Sequence, residues 1–131
     1  MPTNILLCDD EIHIVRAAEF KLIKAGYKVR CAVDGQAAWE QIQKECPDLL
    51  ITDLQMPRLS GFELCQKIRE TPHLSHLPVL MLTAKGYEMQ QDEVTRKWGI
   101  AAVMTKPFSP RELLRTVEQT LAAAHPEQTA V

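Results

Sequence analysis

Three short apolar runs, Ile5-Leu6-Leu7-Cys8, Leu49-Leu50-Ile51 and Val79-Leu80-Met81-Leu82, stand out along the chain, and each is followed by an acid or a threonine. Such runs are too short for helices, and unbroken apolar composition is what a strand covered on both faces requires. A fourth segment alternates instead, with Val29 and Cys31 set between Lys28 and Arg30, as a strand with one wetter face would. Residues 101–104 make a brief fifth strand. The last two are expected at the sheet edges.

The segments between these runs carry helical spacing. Val15, Ala18 and Leu22 share one stripe, which ends at Gly26, a residue suited to a left-handed C-terminal position. Asp34-Gly35 opens a second helix bearing Ala38 and Ile42, and Pro47 stops it. Ser60 can cap a third, with Leu64 and Ile68 inward and Pro72 beyond its end. A fourth, about residues 88–98, is apolar only at Val94 and Trp98 and should pack shallowly. The fifth begins at Ser109-Pro110, a cap followed by proline at the first helical position, and carries Leu113, Leu114, Val117 and Leu121. Alternation of five strands with five helices predicts an α/β fold: a doubly wound parallel sheet with right-handed crossovers and helices on both faces.

Size and composition narrow the picture without changing it. At 131 residues and 46% hydrophobic, the chain is one domain with one core, taken as residues 1–124 with a frayed tail at 125–131. The 15 basic and 17 acidic residues leave a net charge of -2, and neither sign forms a block, so the domain is not expected to bind nucleic acid itself. Cys8, Cys31, Cys46 and Cys65 form no C-x-x-C pair and no zinc spacing; they read as small core residues in a reducing compartment. No run is long enough to span a bilayer, and the N-terminus lacks a signal pattern, so a soluble, cytoplasmic protein is expected. His13, His73, His76 and His125 show no partner pattern and read as surface or loop residues. Met56, Met81, Met89 and Met104 read as core or loop filler, and Trp39 and Trp98 as packed on helix faces.

Candidate chemistry collects at the strand ends. In an open α/β sheet, ligands bind beyond the carboxyl ends of the strands. Asp9, Asp10 and Glu11 follow the first strand, Asp53 the third, Thr83 the fourth and Lys106 the fifth. Carboxylates gathered in one crevice stay ionised only beside a cation, and an all-oxygen donor set suits Mg²⁺. Lys106 fits as a point charge for phosphate and Thr83 as a hydroxyl donor, with Asp53 as a carboxylate nucleophile. Singly, each has an ordinary explanation: an acidic cap before a helix, a turn-opening aspartate, a strand-end threonine, a solvated lysine. Their joint appearance at the ends of four predicted strands favours a phosphoryl-transfer site.

At these residues the chain resembles the receiver domain of bacterial two-component response regulators. The likeness lies in Ile5-Leu6-Leu7-Cys8-Asp9-Asp10-Glu11, in Asp53-Leu54-Gln55-Met56-Pro57 with Ser60-Gly61-Phe62-Glu63-Leu64, in Leu82-Thr83-Ala84 and in Lys106-Pro107-Phe108; it covers residues 3–124 in the family's order and spacing. The resemblance implies a flavodoxin-like receiver fold of strand order 2-1-3-4-5. Asp53 would be the phospho-acceptor, and Mg²⁺ would be held by Asp9, Asp10, Asp53 and the backbone carbonyl of Gln55. Thr83 and Lys106 would bind the phosphoryl group, and the Lys106–Pro107 bond would be cis. A histidine kinase or phosphotransfer protein would be the donor, with a downstream protein partner responding to the changed surface.

The chain also departs from the family. Val103 stands where an aromatic switch residue is frequent. Ser109-Pro110-Arg111-Glu112-Leu113 resembles regulators that dimerise through their fourth and fifth helices, yet Ala101-Ala102 replace the acidic pair expected there, so any homodimer should be weak. Gln55 and Lys85, each two residues past a strand end, are expected at the rim of the site, with Lys85 slowing hydrolysis of the phosphorylated state.

Two rival functions fit less well. A small Mg²⁺-dependent aspartyl-phosphate phosphatase or phosphotransferase would need a substrate pocket and usually a second acid two residues after the nucleophile, where Gln55 stands. A flavodoxin-like nucleotide or FMN binder would need a phosphate loop after the first strand, where Asp9-Asp10 would repel phosphate. The domain is therefore read as a signalling switch that catalyses only its own phosphorylation and dephosphorylation.

Overall fold

The computed structural model describes residues 3–56, 58–84 and 99–124. Their elements run β1 (Asn4–Cys8), α1 (Ile12–Lys24), β2 (Lys28–Ala32), α2 (Gly35–Lys44), β3 (Leu49–Asp53), α3 (Gly61–Glu70), a 3-10 turn (Pro72–Leu74), β4 (Val79–Thr83), β5 (Ala102–Thr105) and a C-terminal helix (Pro110–Ala124). The helix expected at 88–98, with Val94 and Trp98, lies outside the described residues, as do Met89, Lys85 and the tail at 125–131.

All five strands are parallel, in the order β2-β1-β3-β4-β5. The alternating segment and the brief fifth strand form the edges, and the three apolar runs form the interior, where β1, β3 and β4 are buried almost throughout. Side chains alternate between faces along each strand. Leu6, Cys8, Leu50 and Met81 therefore join Ala38 and Ile42 of α2 and Leu64, Cys65 and Ile68 of α3 in one core layer. Ile5, Leu7, Ile51, Leu80 and Leu82 join Val15, Ala18 and Leu22 of α1 and Leu113 and Val117 of the C-terminal helix in the other. Each fully buried leucine or isoleucine contributes about 1.5–3 kcal/mol of transfer free energy, so the two layers together hold the sheet between the helices.

The caps follow the sequence signals. Gly26, just past α1, has φ +103°, the left-handed conformation that glycine adopts without penalty. The Asp34 side chain accepts from the Ala37 N–H at 2.8 Å. Ser60 and Glu63 form a reciprocal capping box: the Glu63 N–H donates to Ser60 Oγ at 3.2 Å and the Ser60 N–H to Glu63 Oε1 at 2.9 Å. Ser109 and Glu112 repeat that arrangement at 3.1 and 3.4 Å before the C-terminal helix. Gly61 lets α3 start hard against β3, because a Cβ there would lie 2.5 Å from the Asp53 carbonyl oxygen. Arg69, near the end of α3, donates to the carbonyls of Ser75, Leu77 and Gly99 and so ties the approaches to β4 and β5 together.

The expectation that all four cysteines lie in the core needs correction. Cys8 and Cys65 are buried, Cys31 is half-buried and Cys46 is exposed. Cys46 follows α2 by two residues, past Ile42, the last inward position of that helix, so the periodicity that buries its neighbours has already ended.

Candidate functional site

Because the strands are parallel, their carboxyl ends share one edge of the sheet. Asp53 and Thr83 are the last residues of β3 and β4, while Asp9 and Lys106 come immediately after β1 and β5. Asp9 is fully buried and Asp53 and Thr83 nearly so, whereas Asp10 is exposed. One carboxylate oxygen from each of Asp9, Asp10 and Asp53 falls within 4.8 Å of the others.

Lys106 closes the cluster. Its Nζ lies 2.9 Å from Asp9 Oδ2, 2.9 Å from Glu11 Oε1 and 3.4 Å from Asp53 Oδ1. Two backbone donors help: the Glu11 N–H reaches Asp9 Oδ1 and the Leu54 N–H reaches Asp53 Oδ1, each at 2.9 Å. Asp9 Oδ2 is close to the ammonium but outside hydrogen-bond geometry, so this buried oxygen has a charge beside it and no directional partner. The Lys106–Pro107 bond is cis, as the resemblance implies.

The electrostatics follow from burial and crowding. Burial, reinforced by the neighbouring charge of Asp9, pushes the Asp53 carboxyl up to about 6, against the opposing pull of Lys106 and the Leu54 N–H. For Lys106, burial alone would lower the pKa. It is outweighed by the hydrogen bond to Glu11 and the charges of Asp9 and Asp53, so the ammonium is held more firmly than usual. The cluster carries more negative than positive charge. Its oxygen-only donors and the orphaned Asp9 Oδ2 fit a hard divalent cation such as Mg²⁺.

The remaining predicted residues are placed less directly. The Thr83 hydroxyl donates to the Met104 carbonyl on β5 at 3.4 Å, a long bond. Gln55 is exposed, in the bend that follows β3. Sequence reasoning missed two features. Glu11 joins Lys106 across 95 positions of sequence, which no local pattern signals. Beneath the site, the Cys8 thiol donates to Met56 Sδ at 3.1 Å, and the Thr52 hydroxyl approaches the same sulfur at 3.8 Å. Met56 therefore pins the turn after Asp53 onto the end of β1. Beside Lys106, an open groove of about 190 Å³ runs between α1 and the start of the C-terminal helix, lined by His13, Ile14, Ala17, Pro107 and Phe108.

Among the described residues no helix is long and apolar enough to cross a membrane. Residues 5–118 match the model of the response regulator receiver domain family. The chain is 39% identical over 121 residues to the alkaline phosphatase synthesis transcriptional regulatory protein PhoP of Bacillus subtilis, an alignment covering 92% of this chain and 49% of PhoP. It thus spans about half the length of that curated relative. Among solved structures, a response regulator of Chloroflexus aurantiacus superposes with a TM-score of 0.85 at 38% identity, covering 93% of this chain and 99% of the other. The chemotaxis response regulator CheY4 of Vibrio cholerae gives a TM-score of 0.85 at 31% identity, with 92% and 99% covered. With its strand order, its acidic edge and this match over most of its length, the chain belongs to the response-regulator receiver domain family.

Proposed function

We propose that this receiver domain is a phosphorylation-dependent switch, which accepts a phosphoryl group on Asp53 from a histidine kinase or phosphotransfer protein and alters its surface to engage a downstream protein. The observation that carries the reading is the buried Asp53 carboxylate at the end of β3, 3.4 Å from Lys106 Nζ and clustered with Asp9 and Asp10. Asp9, Asp10, Asp53 and the Gln55 carbonyl would hold Mg²⁺. When bound, that ion supplies charge neutralisation for the carboxylates and for the oxygens of the transferring group.

The chain's own residues then divide the work. An Asp53 carboxylate oxygen forms a bond to phosphorus as the bond from phosphorus to the donor's nitrogen or oxygen breaks, and the leaving atom departs with that electron pair. Lys106 pairs with a phosphoryl oxygen. Thr83, rotating away from its long bond to Met104, donates to another. That rotation releases a contact between β4 and β5, which is where the surface change would begin; Val103, without a ring, contributes no aromatic swing to it. The groove beside Lys106 offers the phosphodonor protein an apolar surface next to the acceptor.

Acetyl phosphate with Mg²⁺ should add one phosphoryl group by intact mass, released by hydroxylamine as an acyl phosphate is. Asp53→Asn should abolish the addition, and Asp10→Ala should weaken Mg²⁺ binding and slow the reaction. Label that persists at the wild-type level in Asp53→Asn would overturn the assignment.

A further inference from the structure

We propose that Glu11 is a built-in competitor for Lys106: its carboxylate occupies the ammonium that an incoming phosphoryl oxygen needs, and so sets how much oxyanion is required to fill the site. The inference rests on the proposed phosphorylation at Asp53 and deepens it.

Glu11 stands at the N-cap of α1, where a side chain ordinarily accepts a hydrogen bond from the first helical turn. Here it makes no cap bond. Its Oε1 instead accepts from Lys106 Nζ at 2.9 Å. The hydrogen bond of this carboxylate therefore goes to the site and not to the helix.

A lysine ammonium has three protons to donate, and three carboxylates, those of Asp9, Glu11 and Asp53, already surround this one. Only Glu11 accepts a hydrogen bond from it, Asp9 and Asp53 lying close as charges, so a phosphoryl oxygen arriving beside Asp53 competes first for the bond to Glu11. Asp9 cannot turn out to water, because its side chain is fully buried. Asp53 is the acceptor itself. The Glu11 side chain is 58% exposed and can return to water, so it is the partner that yields. Until it does, its negative charge also opposes the approach of an anionic donor. An exposed ion pair of this kind changes a competing equilibrium by roughly two- to fivefold.

The test uses beryllofluoride, a phosphoryl mimic, titrated under saturating Mg²⁺ and followed by backbone amide shifts around Asp53. Glu11→Gln keeps the length of the side chain and removes its charge. It should lower the half-saturating concentration by roughly two- to fivefold while reaching the same end-point spectrum as the wild type. Glu70→Gln removes the same charge at the far end of α3 and should leave half-saturation unchanged. An unchanged or raised half-saturation in Glu11→Gln, or an equal shift in Glu70→Gln, would overturn the proposal. The two readings fail separately. If the wild type takes up no beryllofluoride, or Asp53→Asn takes it up equally well, the phospho-acceptor reading falls. If uptake depends on Asp53 but Glu11→Gln matches the wild type, only the role of Glu11 is lost.

Discussion

Replacing Asp53 by Asn should stabilise the metal-free protein at neutral pH. The carboxyl of Asp53 is pushed from its ordinary 3.8 to about 6 in the folded state, chiefly by burial and then by Asp9. Below about pH 4 it is protonated both folded and unfolded and contributes no difference. As the pH rises from about 4 to about 6 the unfolded chain releases the proton first, so the folded state binds more protons and stability falls with pH. Above about pH 6 the loss is complete, and a gap of about two pH units corresponds to about 3 kcal/mol. Asparagine carries no charge to desolvate, and its Oδ1 can still accept the Leu54 N–H that Asp53 accepts at 2.9 Å. Lys106 keeps Asp9 and Glu11 as partners. Urea unfolding in a chelator at pH 7.5 and at pH 4 measures the effect. The variant should be more stable than the wild type by up to about 3 kcal/mol at the higher pH and close to it at the lower. Equal or lower stability at pH 7.5, or the same gain at both pH values, would refute the reasoning.

Removing the cation should do the opposite. Lys106→Met leaves the fully buried Asp9 and its neighbour Asp53 without the ammonium, at a cost of about 3 kcal/mol in chelator, and Mg²⁺ should restore more stability to this variant than to the wild type in the same urea titration. Gly61→Ala drives a Cβ to within 2.5 Å of the Asp53 carbonyl oxygen; overpacking against backbone should cost about 1–3 kcal/mol and slow acetyl phosphate labelling, whereas a silent variant would show that α3 can shift freely. Ser60→Ala removes half of a capping box and should lower stability by about 1 kcal/mol with labelling preserved, read from the urea midpoint. Iodoacetamide should modify Cys46 first in the native protein, since it is the exposed cysteine and burial, which raises its thiol too, pushes those of Cys8, Cys31 and Cys65 up to about 12; mass mapping before and after unfolding will show the order.

The sheet was legible because burial on both faces leaves no room for polar residues inside a strand: Ile5-Leu6-Leu7-Cys8 and Val79-Leu80-Met81-Leu82 fall within β1 and β4. Caps were legible for a similar reason, since Ser60, Asp34 and Ser109 act on residues three positions away. The weakest strand signal was misplaced by one position, 101–104 against Ala102–Thr105, because half-buried edge positions carry little pattern. The grouping of Asp9, Asp10, Asp53 and Lys106 could be anticipated from parallel strand ends alone. The partners within that group could not. The grip of Glu11 on Lys106 and the bond from Thr83 to Met104 depend on side-chain torsions across the sheet edge, and sequence spacing says nothing about those. Phe20 and Ile23 of α1 are exposed although apolar, a reminder that residue type constrains burial in one direction only.

The strand order has a consequence for how the sheet is made. β1 is synthesised first and occupies neither edge; β2 adds to one side of it, and β3, β4 and β5 then add in turn to the other. Each new strand meets a free edge as it emerges, and none has to be inserted between two strands already paired. A chain growing from its N-terminus can therefore build outward by accretion, and every pairing made early survives unchanged in the finished sheet.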